Sequence, residues 1–112
     1  MSLKICQRTL IIGLSGELDH HGAEQIRGLI ERAVTEQDVK NLIFDFSNLT
    51  FMDSSGIGMI IGRYKLMKSL GGRVALVCTN PRMEQLITLS GLTKLVHVYK
   101  SVQNALNMEK EA

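Results

Sequence analysis

Short apolar runs alternate along this chain with longer segments of helical periodicity, the pattern of successive βαβ units. Leu10-Ile11-Ile12-Gly13-Leu14 reads as a strand, with Lys4-Ile5-Cys6 as its hairpin partner across Gln7-Arg8-Thr9. Ser15 to Asp19 then turns the chain. Asp19 is placed to cap a helix in which Ala23, Ile26, Leu29, Ile30, Ala33 and Val34 recur at helical spacing. Asn41 to Phe46 is the next strand, followed by a loop from Ser47 to Asp53. A helix comes after it with Ile57, Ile60, Ile61, Tyr64 and Met67 on one face, and Gly71-Gly72 stops it. Arg63, Lys65 and Lys68 occupy its other side and its C-terminal half, where cations suit the helix dipole.

Arg73 to Cys78 is apolar almost without interruption, as a buried parallel strand is. Asn80-Pro81 joins a capping side chain to proline at the first helical position. The helix it starts carries Met83, Leu86, Ile87 and Leu89, and Gly91 ends it. Leu95 to Tyr99 is the last strand. Ser101 caps a final helix holding Val102, Ala105, Leu106 and Met108, and Glu109 to Ala112 should fray. The expected fold is α/β: one domain over residues 1–112, a largely parallel sheet whose N-terminal hairpin adds an antiparallel edge.

Composition narrows the function. The 112 residues carry a net charge of +2 with acids and bases interspersed, so there is no basic block for nucleic acid. Cys6 and Cys78 each lie in an apolar run and read as buried structural thiols, not as metal ligands. No secretory signal opens the chain and no apolar run approaches membrane-spanning length, so a cytoplasmic protein without membrane insertion is expected.

The chemistry concentrates in Phe51-Met52-Asp53-Ser54-Ser55-Gly56-Ile57-Gly58. A helix that begins near Ser54 offers unpaired N–H groups and the positive end of its dipole. A phosphate on a serine there brings about −1.5 to −2 charges and can accept from those donors. Plain capping by Asp53, Ser54 and Ser55 accounts for the same residues. Gly56 and Gly58, however, each cost about 1 kcal/mol relative to Ala in a helix. They suggest a surface that another backbone approaches closely. Gly62 extends this bare stripe, although close packing on the sheet would explain it equally well.

A second segment, Gly16-Glu17-Leu18-Asp19-His20-His21, follows a strand expected beside the one ending near Phe46, so both segments belong at the same sheet edge. Adjacent histidines point apart on a helix, which argues against a metal pair; a solvated first turn suits them. Catalysis has little support. Gly-x-Ser-x-Gly is missing around Ser54, and there is neither a phosphate loop nor a dinucleotide fingerprint. No cofactor is expected. An aspartyl-phosphate receiver is the competing phospho-class, with Asp45 or Asp53 as acceptor, Glu17 and Asp19 as acids, Thr79 as hydroxyl and Lys100 as cation. Its weakness is placement: Asp45 lies between two phenylalanines, and Asp53 well past the strand.

These two segments, with Gly62-Arg63-Tyr64-Lys65, Gly71-Gly72 and Ser90-Gly91-Leu92, resemble the anti-sigma factor antagonists over nearly the whole chain. The Asp-His-His and Gly-Arg-Tyr-Lys runs are similar to the sporulation branch, whose members release sigma factor F. The resemblance implies the STAS fold, a mixed sheet with helices mostly on one side. It also implies a protein-binding switch. The unphosphorylated antagonist binds an ATP- or ADP-bound anti-sigma factor that is also a serine kinase; the kinase phosphorylates the first serine of the motif, here Ser54. A serine phosphatase of the PP2C type reverses this. The docking surface so implied comprises Gly16, Glu17, Leu18, Asp19, His20 and His21 with Met52, Asp53, Ser54, Ser55, Gly56, Ile57 and Gly58. A stress-response sigma pathway is the alternative within the family.

Overall fold

The computed structural model describes residues 1–111, with side chains described through residue 107. Five strands lie in sequence order across one sheet: β1 (Ser2–Cys6), β2 (Thr9–Leu18), β3 (Asn41–Met52), β4 (Val74–Val77) and β5 (His97–Tyr99). β1 pairs antiparallel with β2, and every later pairing is parallel, as the βαβ alternation requires. The hairpin turn has two residues, Gln7 and Arg8, both at positive φ, so Thr9 already belongs to β2.

Crossovers are made by α1 (His20–Glu36), α2 (Ser54–Ser69) and α3 (Pro81–Leu89), while α4 (Val102–Glu111) closes the chain. Alternation along the strands divides the sheet into two faces. Leu10, Ile12, Leu42, Phe44, Phe46 and Leu76 meet Ile30 of α1, Ile60 and Met67 of α2, and Ile87 of α3 in the main core. Ile43, Ala75 and Val77 point the other way, onto Ala105, Val102 and Leu106 of α4. Three helices on one side and one on the other is the mixed arrangement anticipated.

Two expected loops are strand. β2 runs on through Ser15–Leu18 and β3 through Ser47–Met52, and these extensions pair with each other from Ser15↔Asn48 to Leu18↔Met52. Register shifts between Gly13 and Ser15 and between Gly16 and Glu17 break the period-two pattern, so the segments looked like turns. Their burial is real: Leu18, Leu49 and Met52 belong to the main core.

Smaller corrections follow from local geometry. Gly91, at φ +85°, leads into a 3-10 turn over Leu92–Lys94 that delays β5 to His97 and leaves Leu95 exposed. Leu89, expected on the apolar face of α3, is 79% exposed at its end. Cys78 is buried but Cys6, on the edge strand, is only half-buried. The expected fray from Glu109 is not seen, since α4 continues to Glu111; Ala112 and the side chain of Met108 lie outside the described residues.

Candidate functional site

Parallel pairing of β2 with β3 delivers the two suspected segments to one edge of the sheet. Leu18 and Met52 are register partners, and the Asp53 N–H donates to the Leu18 carbonyl at 3.3 Å. Each strand then hands over to a helix through an aspartate in extended backbone. The Asp19 carboxylate accepts from the Gly22 N–H at 2.8 Å and caps α1. The Asp53 carboxylate accepts from the N–H groups of Ser55 at 2.9 Å and Gly56 at 3.3 Å and caps α2. The donors that a phosphate on Ser54 was expected to use are therefore largely taken. The helix end is satisfied by its own cap.

The two serines differ. Ser55 is half-buried, with its Oγ 3.3 Å from His20 Nδ1, a contact that ties the first turns of α1 and α2 together. Ser54 is exposed and makes no side-chain hydrogen bond among the described residues. Both histidines, expected on the docking surface, are exposed, and His20 is the one that touches Ser55. The sequence places the two segments at one sheet edge, but only the strand register brings the side chain of residue 20 to that of residue 55.

Three members of the expected docking surface are not surface residues. Leu18 and Met52 are 4% and 1% exposed, and Gly56 is buried over them. A methyl on Gly56 would sit 3.1 Å from Leu18 Cδ2 and 3.3 Å from Met52 Cβ, so this glycine lets α2 lie close on the ribbon. These three support the surface from below. Gly16, Glu17, Asp19, His20, His21, Ser54 and Gly58 are exposed, and Asp53, Ser55 and Ile57 half-buried. Gly16, at φ +71°, takes a backbone conformation that favours glycine, and its carbonyl accepts from Thr50 Oγ1 at 2.9 Å.

Gly58 and Gly62 are a different case. A Cβ at either would meet no atom within 4 Å, so packing on the sheet does not account for them. With Ser54 they form an i, i+4, i+8 line down α2.

Charge along the two site segments is one-sided. Residues 9–26 and 41–62 contain Glu17, Asp19, Glu24, Asp45 and Asp53 but no Lys or Arg, although the chain as a whole is +2. Glu24 is matched by Arg27 at 2.7 Å, whose hydrogen bond and charge hold its carboxyl below the ordinary value. Asp45 is also engaged, accepting from the N–H and hydroxyl of Ser47 at 3.0 and 2.6 Å. Lys100 pairs with Glu84, and no three His, Cys, Asp or Glu side chains among the described residues converge as a cation site. The acid cluster of a receiver is not formed.

The STAS-domain family profile matches residues 1–105. The anti-sigma F factor antagonist of Paenibacillus polymyxa is 42% identical over 97 residues, covering 87% of this chain and 83% of that protein. The solved structure of the unphosphorylated anti-sigma factor antagonist SpoIIAA matches with a TM-score of 0.87 at 34% identity, over 99% of this chain and 96% of that one. The phosphorylated form of SpoIIAA from Bacillus matches with a TM-score of 0.77 at 36% identity, over 96% of each chain.

Proposed function

The chain belongs to the STAS-domain family, and on that premise we propose a partner switch: an anti-sigma factor antagonist turned off by phosphate on Ser54. In this reading the whole chain is one STAS domain acting in the cytoplasm. Unmodified, it docks on an anti-sigma factor and frees sigma factor F. The anti-sigma factor supplies kinase activity, nucleotide and magnesium, and a PP2C-type serine phosphatase restores the free hydroxyl. The chain is a substrate and a binder, not a catalyst.

The contrast between the two serines carries the proposal. Ser54 presents a free hydroxyl to solvent, while Ser55 is half-buried against His20. Phosphate on Ser54 would lie beside Asp19 and Asp53, with no Lys or Arg in either site segment. Its about −1.5 to −2 charges stay hydrated at the centre of the docking face, and removing that water on binding costs enough to release a partner.

The test is incubation with the anti-sigma F factor and Mg-ATP, with the modified residue mapped by mass spectrometry. Phosphate is expected on Ser54 and on no residue of Ser54→Ala. Ser54→Ala should keep binding but escape inactivation, and Ser54→Asp should bind more weakly. Equal affinity of wild type and Ser54→Asp would refute the switch.

A further inference from the structure

Of the chain's three phenylalanines, Phe44 and Phe46 are fully buried and pack against each other at 6.1 Å. Phe51 is 50% exposed and belongs to neither core cluster. Its register partner on β2 is Glu17, one step before the core pair Leu18↔Met52. Because successive side chains on a strand point to opposite faces, Phe51 and Glu17 stand on the side of the ribbon turned away from α1 and α2. The helix on that side, α4, packs over Ile43, Ala75 and Val77, further back along the sheet. The fold leaves half of this side chain exposed.

Its surroundings indicate what would cover it. Phe51 precedes Ser54 by three residues, so their Cα atoms are at most about 11 Å apart. A standard protein interface of about 800 Å² per partner takes in both. Within the two site segments the flanking charges are Glu17, Asp19 and Asp53, without a Lys or Arg in residues 41–62 or 9–26, and the nearby cation is the α-amino group of Met1, beside Glu17. A complementary surface is therefore apolar at its centre and basic at its rim. Aromatic side chains, phenylalanine among them, dominate interface energetics and are enriched at interface cores.

We infer that Phe51 is the aromatic anchor of the docking face, entering an apolar pocket rimmed by Lys or Arg on the anti-sigma factor. This rests on the switch proposed above and names the chemistry of its partner. It adds to the docking residues a side chain at the start of the Ser54 segment, on the opposite face of the ribbon from the α1 and α2 helices.

The experiment compares wild type, Phe51→Ala and Phe51→Leu by calorimetric titration with the anti-sigma F factor and Mg-ADP, and by Ser54 phosphorylation kinetics. Phe51→Ala should weaken binding about tenfold or more and raise KM with kcat little changed, while Phe51→Leu loses less. Wild-type affinity should fall as salt rises, as charge complementarity requires. Both variants should melt close to wild type, since the ring is outside both cores. Wild-type affinity in Phe51→Ala, with Ser54→Asp still impaired, overturns the anchor and leaves the switch standing. A large loss of thermal stability in both variants would make the ring structural and also overturn it. Failure of wild type to bind would remove the switch and the anchor together.

Discussion

Adding a methyl group to α2 at Gly58 should make the protein more stable and a poorer antagonist. Glycine in a helix interior is about 0.8–1.0 kcal/mol less favourable than alanine. That gain is normally reduced by whatever the new Cβ strikes, but at Gly58 and at Gly62 there is no atom within 4 Å beyond the chain neighbours and the helix's own backbone. Neither residue has a positive φ, so the backbone raises no objection. Each substitution should therefore return nearly the whole propensity difference, and the pair about 2 kcal/mol. For a chain of 112 residues, about 1 kcal/mol moves Tm by roughly 4 °C. The double variant should then melt roughly 8 °C above wild type. Gly72→Ala is the opposite control, because its Cβ would fall 1.6 Å from the Lys40 carbonyl oxygen; a loss of about 3 kcal/mol or more is expected. Thermal and urea melts measure the stability arm, and titration with the anti-sigma F factor measures docking, which should weaken. An unchanged or lower Tm in Gly58→Ala and Gly62→Ala would refute the claim that the fold has no use for these glycines. Raised Tm with undiminished docking would refute the claim that a partner does.

Three further outcomes test the packing. Arg63 of α2 is 14% exposed with its Nη1 2.6 Å from Glu31 Oε1 on α1, and its Nε is buried without a partner. Glu31→Ala should cost about 1–3 kcal/mol by urea denaturation, because it strands a partly buried guanidinium; a loss no larger than an exposed pair's would refute this. At alkaline pH, burial pushes the Cys78 thiol above its ordinary pKa, so native protein should alkylate rapidly at Cys6 and slowly at Cys78, and equally at both in denaturant. By the same shift, stability is intact below the ordinary thiol pKa and declines as pH rises through it, since the unfolded chain loses its proton first. Equal labelling of the two thiols in the native state would contradict the burial.

Much of the fold was legible because local chemistry and tertiary structure agree. Asp19 caps α1 and Asn80-Pro81 opens α3, as side-chain type alone suggests. Alternation failed where the sheet does. The register shifts around Ser15 and Gly16 scramble the period, so Leu18 and Met52 looked like loop residues on a docking surface although they are core. The same error hid Phe51, whose exposure follows only once its neighbour Met52 is known to face inward. The His20 contact with Ser55 was illegible for another reason: it joins residues 35 apart, and nothing local encodes it.

The arrangement of Asp53 decides what kind of switch this end of the molecule can be. Phosphate at a helix N-terminus often tightens structure, because free N–H groups and nearby cations take up the charge. Here the Asp53 carboxylate already accepts from Ser55 and Gly56, and Asp19 does the same for α1 at Gly22. A phosphate on Ser54 would thus find its donors largely occupied and its neighbours acidic, and the nearest basic residues along either segment are Arg27 and Arg63. It gains no internal clamp and has no reason to reshape the sheet or its helices. The free energy of the modification stays on the surface, as charge and bound water that a partner must displace. The switch proposed above would therefore act through what the face presents, with the ribbon beneath it left as it is.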